Sequence, residues 1–340
     1  MPLAPGANRA VAECGDARAE ETFVRRLADG EPAEADAAAL GARPRWVDEA
    51  VVYGVIPNRF GDAGGFTDVT ARLDDLAELG VTALWLSPIN ASPEGDFGYA
   101  VTDYFALRED YGTEADFREL VREAHRRGIR VLMDFVPNHT SAAHPYHRDA
   151  AVHGRASRYW DFYDRDTGGT ITHYFDWAHL PNLNYANPEV RAMIHEAFAY
   201  WVREFDVDGF RVDVAWGVKE RAPEFWPEWR ARLKAIKPDL FLLAEASARD
   251  PYYFEHGFDA AYDWTQELGH WAWEGVWDAP SPRELVDALD AALSHHLPDR
   301  PVFRFLNNND TGASFVGRHG TDLTRVASAA LLTLPGIPLV

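Results

Sequence analysis

From about residue 46 the apolar and polar positions of this chain repeat one grammar: an amphipathic helical stretch, a Gly or Asp stop, a short apolar run, then a polar or Pro-containing end. Four copies stand out. TARLDDLAELG leads into VTALWLSPI (81–89), and FRELVREAHRRG into IRVLMDFVPNH (129–139). RAMIHEAFAYWVREFDVD leads into GFRVDVAW (209–216), and FWPEWRARLKAIKPD into LFLLAEAS (240–247). In the second copy Gly128 follows the last helical turn, where a residue tolerant of positive φ closes a helix. The apolar runs are nearly continuous, as in strands buried on both faces; strands with one wet face alternate instead. AVVYGVI (50–56), FDAAYD (258–263), VFRFLN (302–307) and GIPLV (336–340) add four strand candidates, making eight.

Alternating strands and helices imply a parallel sheet, either an open doubly wound sheet or a closed (β/α)8 TIM barrel. The Gly-rich piece after the first strand, GDAGGF (61–66), lacks the spacing of a dinucleotide-binding turn, and no P-loop string occurs. Eight strands favour the barrel. One segment breaks the rhythm: residues 141–187, after the third strand, are rich in His, Tyr, Trp and Asp and are expected to form an insertion over the barrel mouth. Residues 1–45, rich in Ala, Glu, Asp and Pro, are expected to be a lead-in helix or the remnant of a preceding domain. The barrel is expected to occupy residues 46–340. GIPLV places the eighth strand at the end of the chain, so the barrel is expected to be incomplete and the chain a fragment.

Composition narrows the functions. The chain has 340 residues, 54 acidic against 33 basic, for a net charge of −21. Such a chain repels phosphate backbones and anionic membranes, so neither nucleic acid nor a membrane surface is an expected partner. A single cysteine, Cys14, excludes a disulfide framework and multi-cysteine zinc sites. No apolar run is long enough to span a membrane, and no signal peptide is visible, which points to the cytoplasm. Oligomeric state leaves no mark in the sequence.

Catalytic groups of a barrel sit at the C-terminal ends of its strands. Those positions hold Asp134, Asn138 and His139, then Arg211 and Asp213, then Glu245, then Asn309 and Asp310. Arg211 lies two residues before Asp213, so both face one side of the strand, and the guanidinium favours an ionised aspartate. Glu245 follows the apolar run LFLLA, where burial raises a carboxyl toward the value a proton donor needs. Such a carboxylate pair suits a retaining glycosidase. Asp310 would grip sugar hydroxyls or stabilise an oxocarbenium charge. No HExxH string or cysteine–histidine pair supports a catalytic metal.

These strings resemble the α-amylase family, glycoside hydrolase family 13. DFVPNH (134–139), GFRVDVAW (209–216), LLAEAS (242–247) and FLNNND (305–310) are similar to its four main regions. LPNLN (180–184), GYAVTDYFA (98–106) and PGIPLV (335–340) match further regions in family order. The resemblance implies a barrel with a domain B insertion, and a C-terminal β-sandwich for which no sequence remains. It implies Asp213 as nucleophile, Glu245 as general acid/base and Asp310 as transition-state stabiliser. It further implies Arg211 as the partner of Asp213, His139 and Tyr99 as sugar contacts, and Asp103 and Asp134 as members of the site. Asn138 falls where many members bind calcium, so a structural calcium is allowed, although the chemistry requires no cofactor. Asn309 replaces the usual histidine of the fourth region, which removes one hydrogen bond to the sugar.

The implied substrate is an α-1,4-linked glucan or maltooligosaccharide. A transglycosylase or isomerase on the same site and a non-catalytic glucan-binding protein are the rival readings. The insertion aromatics Tyr159, Trp160, Tyr174 and Trp177 read largely as packing, and Trp216, Trp226 and Trp229 as core or rim. The histidines His144, His147, His153, His173 and His179 read as solvated or loop residues.

Overall fold

In a computed structural model of the chain, the eight apolar runs become a closed ring of parallel strands. The structure describes residues 6–14, 17–25 and 43–340, apart from 63, 94, 266, 274 and 298. Near the N-terminus, β1 (Gly6–Cys14) and β2 (Ala17–Arg25) pair antiparallel with Gly6 opposite Arg25. The lead-in helix is thus corrected to a hairpin over these residues. Its sequence signal is the Gly15-Asp16 dipeptide between the two runs, a composition typical of hairpin connections.

The barrel strands are β3 (Val52–Val55), β4 (Ala83–Leu86), β7 (Arg130–Phe135), β8 (Gly209–Val212), β9 (Phe241–Ser247), β10 (Ala260–Tyr262), β11 (Val302–Phe305) and β12 (Ile337–Leu339). Between them, β5 (Asn90–Ala91) and β6 (Asp103–Leu107) form a small antiparallel pair. The ring closes where Leu339 registers with Val52 and the Val340 N–H donates to the Val52 carbonyl at 2.8 Å. The expected gap at the eighth strand therefore does not open. Three residues suffice because the Gly54 N–H also donates to the Val340 carbonyl, at 3.4 Å, so the seam is bonded from both strands.

Successive strand residues alternate between the interior and the helix layer. Ala83, Trp85, Leu132, Leu243 and Leu339 belong to one buried cluster inside the ring. Leu84, Met133, Phe210, Val212 and Leu242 belong to another, shared with the helices. The same parity carries Arg211, Asp213 and Glu245 to the interior side.

The helices are α1 (Phe66–Ala71), α2 (Leu73–Glu78), α3 (Glu114–Arg126), α4 (Pro145–His153), α5 (Pro188–Phe205), α6 (Ala215–Arg221), α7 (Phe225–Ile236), α8 (Pro251–Glu255), α9 (Pro282–Leu293) and α10 (Phe315–Thr333). α3 shows how the sequence specifies them. Thr113 and Asp116 form a reciprocal capping box, and Phe117, Leu120, Val121 and Ala124 line its buried face. Gly128 follows with φ 73°. Trp201, Trp226 and Trp229 are fully buried, as core tryptophans, whereas Trp216 is only partly buried. Among the described residues no helix is long and apolar enough to cross a membrane.

The segment expected as an insertion holds α4 and short bridges between His139 and Asn182, Tyr163 and Leu183, and His173 and Pro181. His144, read as a loop histidine, is instead buried and caps α4 through Nδ1, which accepts from the Tyr146 N–H. Burial lowers its pKa to about 3, so the ring is neutral.

Candidate active site

At the C-terminal ends of β7, β8 and β9 three carboxylates meet one guanidinium. Arg211 is fully buried, and its Nη1 donates to Asp213 Oδ1 at 2.6 Å and to Asp134 Oδ1 at 3.0 Å. Nη2 lies 2.8 Å from Glu245 Oε1 and 3.9 Å from Asp310 Oδ2. Nε donates to the Tyr262 hydroxyl at 2.9 Å, and the rings of Trp85 and Tyr262 flank the guanidinium at 5.5 Å each. An arginine held through Nε and Nη1 is a rigid reference point for the acids around it.

The backbone after β8 completes the arrangement. Val214 adopts a left-handed conformation at φ 47° and ψ 41°, which for a β-branched residue is strained by about 1–3 kcal/mol. This turn aims the Val214 N–H at Glu245 Oε2, 2.6 Å away. Asp213 Oδ2, although buried, has no hydrogen-bond partner among the described residues.

Burial raises the carboxyls of Asp134, Asp213 and Glu245 above the usual carboxylate range, with the Arg211 charge pulling them down and carboxylate neighbours pushing them up. Three ionised carboxylates around one guanidinium would leave a buried charge of minus two, so the cluster retains a proton. Burial pushes Glu245 up to about 8, against about 7 for Asp213 and Asp134. Asp213 and Asp134 each accept a hydrogen bond from Nη1, and Asp134 accepts another from the Tyr99 hydroxyl at 3.1 Å. Glu245 contacts Nη2 without hydrogen-bond alignment. Its other oxygen accepts from the Val214 N–H, so each of the three acids has at least one hydrogen-bond donor.

The remaining expected residues divide. Tyr99 joins the cluster through Asp134, and Asn309 Nδ2 donates to the Tyr99 hydroxyl at 2.8 Å. Asp310 sits exposed at the rim, where the side-chain amides of Asn308 and Asn309 donate to its carboxylate. His139 is buried, with both ring nitrogens engaged: Nδ1 accepts from Asn138 Nδ2 at 3.0 Å, and Nε2 donates to the Tyr99 carbonyl at 3.1 Å. Burial lowers its pKa to about 3, which fits this neutral tautomer. Tyr174 stacks on it, with ring centroids 5.1 Å apart. Asp103 is not part of the Arg211 cluster. Its Oδ1 accepts from the Phe105 N–H at 2.8 Å, and it lines a cavity of about 400 Å³ together with His144, Tyr146 and Arg148.

The calcium expectation rests on Asn138, and the donor set there does not fit a metal ion. Arg221 Nη2 donates to Asn138 Oδ1 at 2.6 Å and to the Asn138 carbonyl at 3.1 Å. At an effective dielectric constant of about 20, two unit charges 4 Å apart interact with about 4 kcal/mol, and a divalent ion at that distance from the guanidinium would be repelled by about twice as much. The neighbouring Asn182 offers a neutral amide. Among the described residues no group of three or more His, Cys, Asp or Glu could hold a metal ion.

Sequence reasoning did not find Tyr262, Trp85, Val214 or Arg221. Tyr262 and Trp85 have the parity of interior residues, the one signal that could have raised them. A groove of about 410 Å³ also escaped notice. It runs past the end of β9 between Trp216, Ser247, Tyr253 and Trp264.

Comparison with known proteins bears on these residues. The sequence model of the Alpha-amylase family, described as alpha amylase, catalytic domain, matches residues 22–340. The chain is 32% identical over 323 residues to the alpha-amylase MalA of Haloarcula japonica, covering 93% of this chain and 47% of that protein. It is 37% identical over 303 residues to a cyclomaltodextrinase of Geobacillus thermopakistaniensis, covering 86% and 44%. The chain spans about half the length of the curated relatives it matches. Among solved structures, the α-amylase from H. orenii superposes with a TM-score of 0.73 at 30% identity, over 86% of this chain and 68% of that one. A debranching enzyme from Nostoc punctiforme gives 0.74 at 25%, over 88% and 72%.

Proposed function

Since the chain belongs to the α-amylase family, we propose that it cleaves α-glucosidic bonds in maltooligosaccharides or related glucans with retention of configuration. The observation that carries this reading is the single guanidinium of Arg211 touching both Asp213 and Glu245, with Asp213 Oδ2 left unpartnered. In the first step Asp213 Oδ2 attacks the anomeric carbon while Glu245 gives its proton to the departing glycosidic oxygen. The bond to the leaving sugar breaks, and a β-glycosyl ester of Asp213 forms. In the second step the Glu245 carboxylate takes a proton from water, whose oxygen attacks the anomeric carbon. Asp213 leaves as a carboxylate, and the product regains the α configuration. Neither step draws on a cofactor. Asp310 at the rim stabilises the positive charge that develops on the sugar ring.

The groove between Trp216 and Trp264 follows the strand that bears Glu245, which favours it as the seat of the leaving sugars. Its similarity to an α-amylase and to a cyclomaltodextrinase supports an α-glucan substrate. The test is covalent. A slow-reacting 5-fluoro-α-glucosyl fluoride is expected to label the peptide carrying Asp213, as read by mass spectrometry. Glu245→Gln is expected to lower kcat on maltooligosaccharides by about 10²–10⁴. A β-anomer as first product, or a label on another residue, overturns the assignment. Product analysis with an added acceptor sugar separates hydrolysis from transfer.

A further inference from the structure

The loop after β7 carries a charged contact that the chemistry above leaves unused. Arg221, the last residue of α6, holds both oxygens of Asn138 through Nη2. A side-chain amide has one oxygen, so a guanidinium on Oδ1 decides which way the Asn138 amide faces. The NH2 group then points to two acceptors, His139 Nδ1 at 3.0 Å and Asn182 Oδ1 at 3.1 Å. The first contact fixes the tautomer of His139, whose Nε2–H reaches the Tyr99 carbonyl. The second ties the barrel loop to the strand returning from the insertion, where the Leu183 N–H donates to the Asn138 carbonyl at 3.1 Å. Gly217, on the same helix as Arg221, leaves the space this needs, since a Cβ there would lie 2.4 Å from Asn138 Oδ1.

We propose that Arg221 is the built-in cation of this loop: it takes the oxygens of Asn138 that a calcium ion would need, and it positions Asn138, His139 and Tyr99 without a metal. Arg221 is a positioning residue, acting on the site through Asn138. The inference stands on this contact and does not depend on the proposed reaction.

The experiment uses the whole chain. After dialysis against EDTA, the melting midpoint and the bound calcium are measured with and without calcium chloride. A calcium site filled at about 100 times its Kd would raise the midpoint by a few degrees. No rise is expected, and no calcium should be retained through Asn138. Retention of one calcium per chain that is lost in Asn138→Ala overturns the proposal. Calcium retained equally by the Asn138→Ala variant lies elsewhere and leaves the proposal standing. Arg221→Ala is expected to lower kcat/KM on a maltooligosaccharide by about ten- to a hundredfold, chiefly through KM. Arg221→Lys, which keeps a cation but not the forked geometry, should recover much of that loss. A variant Arg221→Ala with unchanged KM, or an Arg221→Lys no better than Arg221→Ala, also overturns it. Calcium retention and melting decide the metal question even if the chain turns over no sugar.

Discussion

Arg211 is the residue on which the chemistry turns, because each carboxylate it touches changes the proton affinity of the others. Asp134 lies at the same Nη1 as Asp213, and its negative charge raises the Asp213 pKa. Replacing it with a neutral amide removes that push and leaves Arg211 more fully to Asp213. In the proposed reaction Asp213 works ionised, so activity is expected to be lost as pH falls through its pKa. Asp134→Asn is therefore expected to shift the acid limb of the profile of kcat/KM against pH to lower pH, read with a chromogenic maltooligosaccharide. Glu245 works protonated, so the alkaline limb marks the loss of its proton as pH rises. Val214 belongs to the same scale: its strained turn brings a backbone N–H to Glu245, a role invisible in the side chain itself. Much of the site was legible residue by residue. The two-residue spacing of Arg211 and Asp213 fixes their shared face by strand geometry alone. His144 was misread because, like the other insertion histidines, it lies in a segment with no periodic pattern to signal burial. Its burial comes from the rings of Tyr104 and Tyr146, 6.3 Å and 4.8 Å away.

At the scale of elements, β8 leads into Asp213, the proposed nucleophile, and is tightly confined. It lies between β7 and β9, and Gly209 at its start leaves no room for a side chain. A Cβ there would meet the Phe241 carbonyl oxygen at 2.2 Å and Leu132 Cδ2 at 2.9 Å. Gly209→Ala is expected to destabilise the fold by about 1–3 kcal/mol or more, measured as a lower urea midpoint. In the sequence this glycine looks like an ordinary helix stop. The contact that demands it comes from a strand about 30 residues away, so the local pattern could not reveal it. The helices differ in this respect. The capping box of α3 and its apolar face are local features, and the sequence specifies them directly.

At the scale of the molecule, the ring of strands depends on its shortest members. Leu339 is buried inside the barrel and pairs across the closing seam with Val52. Leu339→Ala is expected to cost about 2–5 kcal/mol, because a cavity opens where β12 meets β3. Equilibrium denaturation monitored by tryptophan fluorescence would show it, and an unchanged midpoint would mean that the seam contributes little to stability. The closed ring also explains why the acids can be buried together. Alternate strands β4, β8 and β10 deliver Trp85, Arg211 and Tyr262 to one interior point, and the resulting low-dielectric setting raises the carboxyls.

The sequence by itself determined the alternation of helix and strand, the barrel, and the shared interior face of Arg211 and Asp213, because periodicity and parity are properties of neighbouring residues. Tertiary structure alone decided who holds whom. Asn309 meets Tyr99 across 210 residues, Tyr262 meets Arg211 across 51, and Arg221 meets Asn138 across 83. These partnerships fix which groups surround the acids and which charge sits on the loop after β7. They arise only once the ring has closed, since a side chain's partners are set by the strands and helices brought beside it and not by its neighbours in the chain.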